Sequence, residues 1–299
     1  MNNILILKDN YNSFEQYYLD KLNRRNCQAV FYYKNSTLIR KLFTHLGLPF
    51  ESVWYGEWKK KLDTFDCIIV FDSLHSANLL KYIHKRYKGR LIFWHWNPVI
   101  KEKDKKILRD TKDICEHWTF NPEDADRYGM VKSNQFFFRQ EQNEVEKNNS
   151  VFFVGTDKGR YNKIFQIGKV LKKMGVLADF HVVSKINGDN REYIEESFIE
   201  YDRVLAHIQK SKAVLEIVQE GQNGLTARTL EAMFFNTKLI TNNLEVRNFE
   251  FYRKNNIYII GYDKEDALSD FLQTEFQPLG KEDLFKYEAD GWLENFVRI

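Results

Sequence analysis

The chain has 299 residues, 43% hydrophobic and 29% charged, with a net charge of only +3 at pH 7. That length fits two ordinary domains, and the small net charge without a basic, aromatic-interleaved stripe argues against nucleic acid as a partner. Three scattered cysteines, Cys27, Cys67 and Cys115, form no CxxC pair, which argues against a disulfide framework or zinc site and suits a reducing, cytoplasmic compartment.

In chain order, Ile4–Leu7 reads as a buried strand, too short for a signal peptide, and no later stretch approaches the roughly 18 apolar residues of a spanning helix. A helix is expected near Ser13–Arg24, with Ser13 and Gln16 as a capping box, then a strand near Gln28–Tyr32. A helix from Ser36 to about Leu46 is stopped by Gly47 and Pro49. Cys67–Phe71 is a buried strand, Ser73–Tyr87 a helix ending at Gly89, Leu91–Trp96 a strand and Lys103–Lys112 a charged helix. Strands separated by helices imply a parallel sheet covered on both faces.

The segment Gln140–Ser150 has almost no apolar content and follows a strand-like Gln135–Phe138. It marks a boundary between a first domain of residues 1–143 and a second of 144–278, with a helical tail at 279–299. After it the alternation restarts. Strands are expected at Val151–Val154, Ala178–Val183, Ala213–Val218, Lys238–Thr241 and Ile257–Ile260, with helices at about Arg160–Met174, Tyr201–Lys210 and Leu225–Phe234. The expected fold is α/β: two Rossmann-like βαβ domains facing a cleft.

The most informative stretch is Glu216 to Thr241. A buried strand runs into Glu220-Gly221-Gln222-Asn223-Gly224, and a helix begins around Leu225. Glycines let a ligand approach the main chain, and a helix start with free N–H groups suits a diphosphate. Such loops lie at the carboxyl ends of strands, where ligands bind in open parallel sheets. Glu231, about two turns into the helix, shares a face with Thr226 or Arg228 and is placed to accept hydrogen bonds from ribose hydroxyls. The alternative is a strand–loop–helix corner whose Glu231 is structural.

The run Q-E-G-Q-N-G-L-T-A-R-T-L-E-A-M, followed by K-L-I-T-N-N, resembles the donor-site segment of GT-B glycosyltransferases, in particular those of bacterial lipopolysaccharide and capsular polysaccharide biosynthesis. The resemblance is specific over roughly Ala213–Asn243. It implies a nucleotide-sugar donor, with Glu220, Gly221, Gln222, Asn223, Gly224, Leu225 and Thr226 at phosphate and sugar, Arg228 beside them and Glu231 on the ribose. Glu220 and Glu231 have ten residues between them, where the family's paired glutamates have seven. The resemblance also implies an acceptor-side first domain, a terminal helix crossing back to brace it, and catalysis without a cofactor or bound metal.

A second loop, V-F-F-V-G-T-D-K-G-R, sets Gly155 at a strand end and Lys158 and Arg160 before a helix, matching the basic residues that GT-B enzymes send to the donor diphosphate. The GxxxxGK[ST] spacing of a Walker loop is missing. Tyr201 is a candidate base-stacking ring or a packing residue, and Ser184 and Lys185 stand where they would edge a base pocket. No GxGxxG follows Ile4–Leu7, which disfavours a dinucleotide-binding oxidoreductase.

A general base would come from the first domain, at strand ends: Asp9, Asp72, or His95 with Asn97, where Trp94 and Trp96 are either core or a sugar-stacking platform. Asp72 and His75 lie near a helix start, so Asp72 is alternatively a cap. There is no HExxH. Residues 1–150 carry 25 Lys and Arg against 19 Asp and Glu, and residues 151–299 carry 20 against 23. The basic first half suits a phosphate-bearing or lipid-linked glycan acceptor and peripheral contact with the inner membrane face, or is ordinary surface variation. In the tail, Tyr287, Trp292 and Phe296 suit a bracing helix. The leading expectation is a glycosyltransferase. A non-catalytic nucleotide-sugar-binding or assembly subunit with the same fold is the alternative, and donor turnover separates the two.

Overall fold

The computed structural model describes residues 3–9, 12–24, 26–34, 40, 51–73, 76–140, 145–184, 186, 189–219 and 224–297. They belong to two compact units, Met1–Asn134 with Leu293–Ile299, and Gln135–Trp292. The helix expected at Ser36–Leu46 and the 143/144 boundary lie outside the described residues. No helix among the described residues is long and apolar enough to cross a membrane.

The first unit is built on six parallel strands: β1 (Ile4–Lys8), β2 (Cys27–Phe31), β3 (Cys67–Phe71), β4 (Arg90–His95), β5 (Glu116–Thr119) and β6 (Val131–Lys132). Their spatial order is β2-β1-β3-β4-β5-β6. All five residues of β1 and of β3 are buried, as continuous apolar runs in a doubly covered sheet require. Each of these Ile, Leu and Val side chains contributes roughly 1.5–3 kcal/mol through burial. Helices α1 (Ser13–Leu22), α2 (Ser76–His84), α3 (Glu102–Thr111) and α4 (Pro122–Tyr128) connect the strands. The strand order reverses between β1 and β3, which opens a crevice at their carboxyl ends.

The start of α1 differs from expectation. Asn12, not Ser13, is the N-cap, and its side chain accepts from the Phe14 amide at 2.9 Å. Asn accepts this first-turn bond as readily as Ser, so the cap falls one residue earlier than the S-x-x-Q pattern suggests. Helix α4 begins on Pro122 and ends at Gly129 with φ +64°.

The second unit has the strand order β12-β11-β10-β7-β8-β9, again all parallel. These are β7 (Asn148–Thr156), β8 (Leu177–Val183), β9 (Ile194–Glu195), β10 (Ser211–Glu216), β11 (Lys238–Thr241) and β12 (Ile257–Ile259). Helices α5 (Tyr161–Lys173), α6 (Tyr201–Lys210), α7 (Ala227–Phe234) and α8 (Ala267–Gln273) intervene, and α9 (Lys281–Leu284) and α10 (Ala289–Val297) close the chain. Tyr161, Ile164, Gly168 and Leu171 form the buried stripe of α5 at helical spacing. Here the order reverses between β7 and β10. Lys147 ties down the far ends of two site helices: its Nζ donates to Gln209 O at 2.8 Å, Phe235 O at 3.3 Å and Thr237 Oγ1 at 2.6 Å.

The stretch Gln135–Phe138 is not a strand. Phe137 forms a single bridge with Glu288, its amide donating to Tyr287 O and its carbonyl accepting from Ala289 N. Three consecutive phenylalanines, all buried, read as a strand because they serve as a packing seam. Helix α10 passes from one unit into the other. Trp292 stacks on Phe136 at 4.1 Å within the second unit. Phe296 lies against Trp118 at 4.9 Å in the first, where its carbonyl accepts from Arg90 Nη1 at 3.0 Å.

Candidate functional site

The reversal between β7 and β10 places two loops side by side, Thr156–Arg160 and Ile217–Thr226. In the first, Lys158 and Gly159 both take positive φ, +46° and +79°. Lysine rarely adopts that conformation, so the tight turn holds an exposed Lys158 at the crest of the loop. Arg160 is spent differently from expectation. Its guanidinium donates to Thr156 O at 2.7 Å, to Asp157 O at 3.4 Å and to Ile217 O, and burial lowers its pKa. It ties the ends of β7 and β10 together. A Cβ on Gly155 would stand 3.1 Å from Arg160 Nη2, so glycine there leaves room for this tie.

The described ends of the second loop, Val218 and Gly224, are held by residues from the turn after β11. Asn242 Oδ1 accepts from Val218 N at 2.7 Å, and Asn243 Nδ2 donates to Gly224 O at 3.4 Å. One asparagine therefore holds each end of the loop. Glu220, Gly221, Gln222 and Asn223 lie outside the described residues. Leu225, expected at the donor, is 2% exposed and anchors the loop in the core.

Two carboxylates sit at the end of β10 and on α7. Glu216, at the end of β10, accepts from Thr229 Oγ1 at 2.9 Å, Thr241 Oγ1 at 2.5 Å and Thr226 Oγ1. Thr226 also caps α7, its Oγ1 accepting from Thr229 N at 3.3 Å. Three hydroxyls on one buried carboxylate supply the partners that its burial demands. Glu231, 1% exposed on α7, accepts from Tyr201 Oη at 2.5 Å through Oε1. Its Oε2 stands 2.6 Å from Arg228 Nη1, yet neither atom makes a directed hydrogen bond, so this contact is an ion pair of poor alignment. Tyr201 is itself buried, which favours its packing role over stacking on a base. Ser184 Oγ accepts from Ile186 N at 3.1 Å, and Lys185 lies outside the described residues.

The β1/β3 crevice of the first unit gathers the expected bases. Asp9 accepts from Tyr32 Oη at 3.0 Å. Tyr32 Oη is also 2.8 Å from Ser73 Oγ. Asp72, half-buried, accepts from the Asn97 amide and from Asn97 Nδ2, both at 3.2 Å, and these bonds tie it to the loop after β4. Burial raises its pKa above the usual carboxylate value, and the neighbouring Lys8 opposes that shift. Lys8, buried at the end of β1, donates to Asp72 O at 3.5 Å. His75 lies outside the described residues.

His95 is removed from this group. It is 3% exposed, and its Nε2 is 2.9 Å from His117 Nδ1. Burial and the neighbouring imidazole push its pKa down to about 3, which makes it a poor base near neutrality. The two flanking tryptophans divide: Trp94 is core, while half-exposed Trp96 packs on Phe71 and Tyr18 at 5.0 Å each. Sequence reasoning missed Lys8, Glu216, Asn242 and Asn243 as site residues. Only Lys8, the polar residue ending the apolar run Ile4–Leu7, carried a signal of its own; Glu216 stands inside an apolar run, and Asn242 and Asn243 follow the end of β11.

No protein-family model and no curated protein matches the sequence. Among solved structures, Anabaena HepE in complex with UDP and glucose superimposes with a TM-score of 0.60 at 8% identity, covering 100% of both chains. Sucrose-phosphate synthase from Thermosynechococcus elongatus gives 0.56 at 11% identity, covering 99% of both. The T4 phage β-glucosyltransferase gives 0.50 at 12%, covering 90% of this chain and 87% of that one. At such identities the likeness establishes the fold alone: two Rossmann-like α/β units in a GT-B-like fold.

Proposed function

We propose that the protein is a glycosyltransferase that moves a sugar from a nucleotide-sugar donor to a hydroxyl of a surface polysaccharide or glycolipid. The observation that carries this reading is the β7/β10 crevice, where the Thr156–Arg160 turn and the held ends of the following loop, Val218 and Gly224, lie at the strand-order reversal and before the start of α7. The similarity to HepE in complex with UDP-glucose, at a TM-score of 0.59 over 99% of this chain, supports a nucleotide-sugar donor.

In this reading, loop amides, the N-terminus of α7 and Lys158 hold the diphosphate and offset the charge it gains as the glycosidic bond breaks. Glu231 Oε2, close to Arg228 but without a directed bond, is the atom that takes a ribose hydroxyl. Asp72 is the preferred base for the acceptor hydroxyl: burial raises its pKa, and Lys8 and Asn97 fix its place at the β1/β3 crevice. The basic first half, with 25 Lys and Arg against 19 Asp and Glu over residues 1–150, suits a phosphate-bearing lipid-linked acceptor at the inner membrane face.

The test is release of nucleoside diphosphate from UDP-, GDP- and ADP-sugars, with and without lipid-linked glycan acceptors. Acceptor-dependent release from one donor class supports the assignment. Tight binding of one donor without turnover on any acceptor would instead favour a non-catalytic nucleotide-sugar-binding subunit.

A further inference from the structure

In the second unit, β8, β9 and α6 bring together a group of side chains that the proposed reaction does not use. Asp179 and His181 project from one face of β8, two residues apart, and His207 comes from the second turn of α6. His181 Nε2 lies 2.9 Å from Asp179 Oδ1, and His207 Nδ1 lies 2.7 Å from Asp179 Oδ2. One donor atom from each residue falls within 4.8 Å of the others, and all three residues are half-buried.

We propose that Asp179, His181 and His207 form a binding site for a divalent transition metal of the zinc class. Two imidazole nitrogens directed at one carboxylate, with solvent on the remaining side, give three protein ligands and room for a water. That donor set suits Zn²⁺, Co²⁺ or Ni²⁺ and is poor for Mg²⁺ or Ca²⁺, which prefer all-oxygen shells. Metal–ligand bonds of about 2.1 Å in a tetrahedron put ligand atoms about 3.4 Å apart, so the rings need only small adjustments.

A fourth residue supports the assignment independently. The other nitrogen of His181, Nδ1, is 3.0 Å from Glu195 Oε1 on β9. A carboxylate on the far nitrogen fixes the tautomer and aim of a ligating imidazole, as outer-shell carboxylates do in zinc proteins. The His207 ring is also held, stacked on buried Phe152 at 4.9 Å with an interplanar angle of 18°. The ion would tie the β8/β9 edge of the sheet to α6, the helix whose first residue, Tyr201, bonds Glu231. Its role is to brace the scaffold, so the proposal stands apart from the donor assignment.

The experiment uses the full chain without an affinity tag, stripped with chelator and titrated calorimetrically with Zn²⁺, Co²⁺ and Mg²⁺. One equivalent of Zn²⁺ or Co²⁺ should bind, Mg²⁺ should not, and a hundredfold excess of Zn²⁺ over Kd should raise the Tm by roughly 5–10 °C. His207→Ala and Asp179→Asn should abolish binding, and Glu195→Gln, which keeps all three ligands, should weaken it about 10–100-fold. Should a ligand variant fail to fold, the absorption of the Co²⁺-loaded wild-type chain decides. Ligand-field bands without thiolate charge transfer support the site, and thiolate bands overturn it. Absence of binding by the wild-type chain, or binding unchanged in folded His207→Ala and Asp179→Asn, also overturns it.

Discussion

Each unit turns its sheet at a strand-order reversal, yet the two crevices are furnished in different ways. At β1/β3, Asp72 is half-buried, held by Asn97 and opposed by Lys8 in the balance that sets its ionisation. At β7/β10, Glu216 and Glu231 are at most 5% exposed; Glu216 is committed to threonine hydroxyls, while Glu231 gives one oxygen to Tyr201 and keeps the other near Arg228 without a directed bond. The difference separates two kinds of work. A crevice with a half-buried carboxylate suits proton transfer, whereas one whose carboxylates are buried beside a helix start suits holding a ligand on main-chain amides.

The largest expected effect tests that division. Asp72→Asn should lower turnover by about 10²–10⁴-fold while nucleotide binding stays intact, as initial rates and melting shifts would show. The acidic limb of the wild-type rate profile should lie above the usual carboxylate pKa, because burial raises that of Asp72. An ionised carboxylate with a raised folded pKa costs stability above the unfolded value, so the asparagine variant should be no less stable at pH 7. Equal loss of binding and turnover would break the comparison.

Glu231→Gln should act on the other side. It leaves Arg228 without its buried counter-charge, costing about 3 kcal/mol in chemical denaturation, and it should abolish the nucleotide-induced melting shift. A third prediction concerns pH. An unfolded imidazole takes up its proton below about 6.5, but buried His95 does so only at about 3, so the unfolded state binds the extra proton in between. Stability should therefore fall by about 2–3 kcal/mol between pH 7 and 4.5, and His95→Gln should flatten that slope. The smallest effect belongs to the loop clamp. Asn242→Ala frees Val218 N and should raise the donor KM about fivefold with little change in kcat, equivalent to about 1 kcal/mol.

Much of the frame was legible in the residues. Runs such as Ile4–Leu7 and Cys67–Phe71 have no polar face, which only a covered parallel strand explains, and observed burial follows them. Helix α6 was legible to the residue, because its apolar positions recur at helical spacing. The Gln135–Phe138 seam was misleading, since an apolar run does not say whether its backbone pairs in a sheet or along a single bridge. Helix α4, with its Pro122 start and Gly129 stop, carried local signals that went unread between two weak strands.

In the site, strand ends marked where side chains gather but not what those side chains meet. Arg160 reads as a phosphate ligand from spacing alone. Only the fold shows three carbonyls converging on it from two strand ends. His95 reads as a base because alternation places it at a strand end, while His117, from the next strand, closes over it. The Asp179–His181–His207 group was invisible because its ligands come from a strand and a helix about 26 residues apart, with no short motif to join them.

The most direct test of the central claim is amide hydrogen exchange of the full chain with and without saturating UDP, GDP, ADP or CMP. The account predicts that one nucleotide slows exchange in peptides covering Thr156–Tyr161 and Ile217–Arg228, and that Glu231→Gln removes the effect. Protection confined to other segments, or no protection with any of the four, would contradict the placement of the donor at the β7/β10 crevice.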